Sequence, residues 1–424
     1  MFANFFTKLN LIIRDRTLRR RILFVVVALV LFRLGSNIPI PGVDQAALAN
    51  FFAGNQFFGL LNVFSGGGLS NVSILMLGVG PYITASIILQ LLTMMIPALK
   101  ELYHESGEMG RRKFAQYSRL LTVPLAVVQG LGLLVLLESQ GVVTQLTLSD
   151  RVLNVVVIAA GSVILMWLGE LLGEYGIGNG ISLLIFAGIM AGVPSAIGQA
   201  LINFDPSQLP MYFGFIVAAI IIIAGVVVVT EAERPISVTY AKQVRGNRVY
   251  GGTSTYLPIR LNQAGVMPII FALSILLFPQ MLINFLTKVD NVTIKAVADT
   301  LLSLLNNTWF YAIAYFVLVF LFTYFYSAIT FDPEAISTNL QKSGAFVPGI
   351  RPGRPTAEYL SKVVTRLTLV GALFLGIVAM LPLIMRAITG LTSLAIGGTA
   401  LLIVVSVVLE FTKKVDGQVA MREY

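Results

Sequence analysis

Side chains able to do covalent or metal chemistry are scarce in this chain. Its 424 residues include one histidine, His104, and no cysteine. A zinc site built from Cys and His is therefore out of reach, and a Ser-His-Asp triad would have to use that single imidazole. Gly176-Ile177-Gly178-Asn179-Gly180-Ile181 has glycine at alternate positions, as some phosphate loops do. It lacks the lysine of GxxxxGK(S/T) and follows no predicted strand, so it reads as a flexible turn. ATP or GTP energy, if used, must come from another protein. The sequence implies no cofactor and no metal, and the chain is not expected to be an enzyme.

The surroundings of these residues explain the scarcity. Hydrophobic residues make up 57% of the chain, and mean hydropathy is +0.86. Charged residues are 12%, half the ~25% usual in soluble domains. Such a composition excludes a soluble globular enzyme, a disordered chain and a fibrous protein. Lipid must be much of its solvent. The net charge of +9 then poses the question of which side of the membrane holds it.

Ten apolar runs are long enough to cross ~30 Å of hydrocarbon as helices: 22–38, 73–97, 117–137, 152–170, 181–200, 211–230, 264–286, 307–330, 367–385 and 388–409. The first is not a cleavable signal, because Arg33-Leu34-Gly35-Ser36 and then Pro39 and Pro41 follow it without a small-x-small pattern. Backbone groups cannot stay unpaired in lipid, and the runs are too long for barrel strands, so they are helices. Ten spans place both termini on one side. With that side cytoplasmic, 24 of the 29 Lys and Arg residues lie inside, leaving Arg33, Arg151, Lys288, Lys295 and Arg386 outside.

The expected fold is an all-α polytopic membrane protein with five spans in each of two inverted halves, 1–204 and 205–424. Two stretches hint at kinship between the halves. Gly78-Val79-Gly80-Pro81-Tyr82-Ile83 in the second span resembles Gly265-Val266-Met267-Pro268-Ile269-Ile270 in the seventh. Before the second span, Phe57 to Phe64 is apolar but too short to cross, and breaks at Ser65-Gly66-Gly67-Gly68. A true span is then expected from near Val72. The short segment is either a flat interfacial piece or a re-entrant helix on a glycine hinge. Two cytoplasmic loops, 231–263 and 331–366, are longer than orientation requires and basic. They read as docking surfaces for a large acidic or RNA-containing partner. Span interiors hold no Asp, Glu, Lys, Arg or His; Arg33, Arg119, Glu170 and Glu174 sit at ends. That argues against an ion-coupled pump.

Several motifs together are similar to the SecY family, the channel subunits of the bacterial protein-conducting translocon. They are Ile38-Pro39-Ile40-Pro41-Gly42, Phe64-Ser65-Gly66-Gly67, Gly110-Arg111-Arg112-Lys113, Trp167-Leu168-Gly169-Glu170 and Gly176 to Ser182. The longest are Lys342 to Gly353 and Thr365 to Ala372. The resemblance implies a clamshell of two five-helix halves around an hourglass pore. Its narrow ring would be Val79, Ile83, Ile181, Ile185, Ile270 and Ile403. Taken singly, any of these is as readily a packing residue. A plug over 59–71 would include Leu60, Leu61, Asn62, Val63, Phe64, Ser65, Gly66, Gly67 and Gly68. Spans 2, 3, 7 and 8 would form a lateral gate, with Gln90, Gln129 and Ser274 as polar candidates, packing being the equal alternative for each. Arg245, Arg248 and Arg351 would dock the ATPase motor SecA or the ribosome. Implied partners are SecE, SecG, signal sequences and nascent polypeptides, in the bacterial plasma membrane. The rival readings are a secondary transporter of a small solute and a membrane enzyme.

Overall fold

A computed structural model describes residues 15–44, 47–48, 62, 65, 67–69, 71–104, 107–143, 146–202, 209–241, 243–245, 248–250, 254–263, 265–286, 292–389 and 397–420. The helices are α1 (Arg16–Ser36), α2 (Gly80–Met95), α3 (Pro97–His104), α4 (Gly107–Ser139), α5 (Leu148–Tyr175), α6 (Gly180–Ile202) and α7 (Leu209–Glu231). Strands β1 (Glu233–Tyr240), β2 (Gln243–Arg245), β3 (Arg248–Tyr250) and β4 (Ser254–Arg260) follow. Then come α8 (Met267–Leu286), α9 (Val292–Asn306), α10 (Thr308–Thr330), α11 (Pro333–Lys342), β5 (Ala345–Phe346), α12 (Arg354–Thr389) and α13 (Gly397–Ala420).

Each of the ten apolar runs overlaps a helix. Among the described residues, α4, α5, α7, α10 and α12 are individually long and apolar enough to cross a membrane. Helices α2 and α3 together add a broken span, bent by 116°. The remaining runs fall on α1, α6, α8 and α13. Large apolar side chains such as Val30 on α1 and Ile220 on α7 stay exposed, as they would in a protein whose outer solvent is lipid. The boundary between the expected halves, 204/205, lies outside the described residues.

Two helix limits differ from expectation. The second span does not begin near Val72: residues 71–79 are turns interrupted by a bridge from Ser73 to Pro39, and α2 starts at Gly80. This stretch is hydrogen-bonded to the chain after α1, with Ile40 N–H donating to Val72 O and Ile74 N–H to Ile38 O, both 3.0 Å. Val72, fully buried, is held there at φ 43°, a strained conformation for a β-branched residue. Near the other end, α12 runs on to Thr389 and α13 begins at Gly397, so residues 388–389 belong to the ninth span's helix.

The all-α expectation omitted a small sheet. Strand β1 pairs antiparallel with β4 on one side and β5 on the other. The two long loops are thus one unit, since β1 and β4 come from 231–263 and β5 from 331–366. It has its own core of Ile236, Ile259, Val347, Leu360, Val363 and Val364. A third, smaller cluster joins Leu18 near the start of α1, Ile177, and Val415 and Val419 near the end of α13. Lys413 on α13 pairs with Glu231, just before β1, at 2.9 Å. The two terminal helices and the sheet therefore share one end of the molecule.

Candidate functional site

The two similar stretches fold alike. Gly78 and Gly265 both adopt left-handed φ, 58° and 60°, which glycine takes without steric cost. The helix begins two residues later in each, and Pro81 and Pro268 stand second in α2 and α8. Proline fits a first turn, where its missing N–H would be unpaired anyway. The prolines are thus helix starters and break no internal hydrogen bond. Ile83 N–H donates to Val79 O at 3.1 Å, and Ile270 N–H to Val266 O at 3.3 Å. Ile83 and Ile270 hold equivalent places.

The six expected ring residues come from four helices. Val79 caps α2 and Ile83 lies in its first turn; Ile181 and Ile185 open α6, Ile270 lies in the first turns of α8, and Ile403 is on α13. Five are buried in one continuous apolar core, and Ile181 is half-buried against it. Helix α8 packs on α2, and α13 packs on α6, so both halves of the chain contribute. Val266, the counterpart of Val79, is buried in the same core. Sequence reasoning omitted Val266, although the repeat itself was the signal that could have found it.

Helix α8 also packs on α4 and α10, so the four helices of the expected gate adjoin. Its polar candidates bond locally. The Ser274 hydroxyl donates to Ile270 O at 2.9 Å within α8. Gln90 Nε2 donates to Ser86 Oγ at 3.4 Å within α2, and its Oε1 is buried without a partner. Gln129 is half-buried on α4. The α2–α8 seam is therefore closed mainly by apolar contact.

Of the expected plug, Leu60, Leu61, Val63, Phe64 and Gly66 lie outside the described residues. Around them, Ser65 Oγ donates to Asn62 O and accepts from Leu69 N–H, both 3.0 Å. Gly67 N–H donates to Asn62 O at 2.9 Å, and Ser73 N–H to Gly68 O at 2.8 Å. The segment leads directly into the anchored turns before α2.

At the opposite pole, Arg351 is exposed on a fixed turn. Thr356 Oγ1 donates to Arg351 O at 2.8 Å, and Ser337 Oγ to Gly353 O at 2.6 Å. Ile350 packs beneath it into the sheet core. Arg245 and Arg248 are partner positions in the backbone register of the β2–β3 hairpin. Charged pairs elsewhere brace helix ends: Arg119–Glu170 joins α4 to α5 at 2.8 Å, and Arg151–Glu138 does so at their other end at 2.8 Å.

The SecY family model matches residues 73–412, most of this architecture. The chain belongs to the SecY family. Within that family, the protein translocase subunit SecY of Streptomyces scabiei is 42% identical over 426 residues, with 96% of each chain covered. Solved structures carry the same fold. One is of a SecY protein whose plug domain stabilises the closed state of the translocation channel and maintains a membrane seal. It gives a TM-score of 0.66 at 22% identity, over 96% of this chain and 93% of that one. Another is Sec61 in the canine ribosome-channel complex from the endoplasmic reticulum, with a TM-score of 0.62 at 21% identity and the same coverage. The chain is a multi-pass membrane protein of this fold.

Proposed function

We propose that this chain is the pore-forming subunit of a Sec translocase, a passive gated channel for unfolded polypeptides. The observation carrying the reading is the shared core of Val79, Ile83, Ile185, Ile270 and Ile403, drawn from both halves of the chain. A narrow apolar ring excludes water and so resists ions when idle. It makes no lasting bond to a passing chain, so it tolerates any sequence. The turns at 71–79 tether a plug on its outer side.

A signal sequence, itself an apolar helix, binds at the α2–α8 seam and replaces apolar contacts with its own. Because Ser274 bonds within its own helix, parting the seam there breaks no hydrogen bond. Hydrophobic segments then leave sideways into lipid, favoured by ~25 cal/mol per Å² of apolar area. The termini and the β4-β1-β5 sheet face the cytoplasm of a bacterial cell, where Arg245, Arg248 and Arg351 dock SecA or the ribosome. SecE braces the clamshell and SecG assists. The transporter and membrane-enzyme alternatives find no support in the relatives or in the apolar ring.

The test is conductance. Replacing Ile83, Ile185, Ile270 and Ile403 together by Ser is expected to make resting channels conduct ions in planar bilayers. Silent recordings from correctly inserted protein would remove these residues from the ring.

A further inference from the structure

Helix α9 was not among the expected elements, and its surface is divided three ways. It joins the ends of α8 and α10 remote from the sheet and packs against both. At 100° per residue, Lys295, Asp299, Thr300 and Ser303 share one arc, and all are exposed. Leu304, Val297, Leu301, Leu305, Ala298 and Leu302 fill a second arc of roughly 160°. Half of that apolar arc serves the fold: Ala298 is buried, and Leu302 and Leu305 are half-buried. The other half does not, for Val297, Leu301 and Leu304 are 56%, 42% and 46% exposed.

Two residues after α9, α10 begins, and it too carries an exposed apolar face. Trp309, Ile313, Val317 and Leu321 recur every fourth residue and are all exposed. A spanning helix with such a face looks into lipid, and tryptophan concentrates where hydrocarbon meets headgroups. The exposed apolar face of α10 thus begins directly after the exposed apolar half of α9 in the chain. Polar residues cover the arc of α9 across from Val297, Leu301 and Leu304.

We propose that α9 is an in-plane membrane helix, with Val297, Leu301 and Leu304 seated in the acyl boundary of the outer leaflet and Trp309 at headgroup depth. Its occupant is the bilayer. An amphipathic helix lies at this depth because its apolar arc is buried while its polar arc stays hydrated. The arrangement holds the outer ends of α8 and α10 at a fixed height in the membrane.

The absence of cysteine makes the test direct. Single substitutions V297C, L301C, L304C, T300C and S303C in the full chain carry a nitroxide. The protein is reconstituted in phosphatidylethanolamine–phosphatidylglycerol liposomes. The ratio of oxygen to nickel-chelate collision is expected to be several-fold higher at 297, 301 and 304 than at 300 and 303. Five equally nickel-accessible sites would put the helix in water, and sites 297, 301 and 304 closed to both probes would mean a protein partner. Either result overturns the proposal. A second measurement leaves α9 untouched. Trp167 and Trp309 are the two tryptophans, so Trp167→Phe isolates Trp309. Lipids brominated near the headgroup are expected to quench it more than deeply brominated ones; no quenching by either would also overturn the proposal.

Discussion

Ile83 and Ile270 illustrate how little chemistry the proposed function asks of a residue. Each is a branched hydrocarbon with restricted rotamers, buried in the core beside the first turn of its helix. One substitution in a ring of six leaves five walls standing. Ile83→Ser alone is accordingly expected to leak far less than the fourfold replacement, as compared by single-channel recording. Arg351 makes the opposite case, a single charge on a fixed support. Arg351→Glu is expected to cut SecA-driven export at least several-fold while the protein stays inserted, measured by protease protection of an exported substrate. Unchanged export would end its docking role. The ring residues could be named from sequence only through the family resemblance, because an isoleucine in an apolar span looks the same whether it faces lipid, a neighbour or a pore. Val266 is the exception, since the repeat that pairs it with Val79 lies in the sequence itself.

Among the elements, long apolar helices were legible because length and hydropathy are strong signals. The start of α2 was not. Residues 72–79 are as apolar as the helix that follows, and hydropathy cannot separate a buried turn from a helix. Gly161 shows how tightly that turn is seated: a Cβ there would run into the carbonyl oxygen of Ile74. Backbone cannot yield as a side chain can, so Gly161→Ala is expected to destabilise the protein by about 1–3 kcal/mol. Thermal unfolding in detergent reads the loss, and a neutral result would mean that residues 71–79 are loosely held. The sheet was legible in principle. Along β1, Ile236 and Val238 are buried while Pro235 and Ser237 are exposed, the period of two that marks a half-buried strand. The exposed Glu233, Arg234 and Pro235 that open the strand mask that period. Ala345 lies in β5 and is 2% exposed. Ala345→Asp would bury a charge at the β1–β5 pairing, and is expected to impair SecA-driven export although Arg351 is intact. Export equal to that of the unchanged protein would mean that the sheet does not support the docking tip.

Seen whole, the molecule has one basic end, where both terminal helices and the sheet meet, and an apolar middle built from both halves. Its membrane character and its helical spans were open to reading, because composition and hydropathy are counted over the entire chain. Side-chain neighbours across the seam were not, since they depend on which helices adjoin. The account stands on a translocating chain passing between Val79, Ile83, Ile185, Ile270 and Ile403. Photo-crosslinking tests this most directly, with benzoylphenylalanine placed singly at Ile83, Ile185, Ile270 and Ile403 and a secretory chain stalled halfway across. Adducts to the stalled chain are expected from all four positions. A chain that has reached the far side yet forms none of these adducts, while joining to lipid-facing control sites, would contradict it.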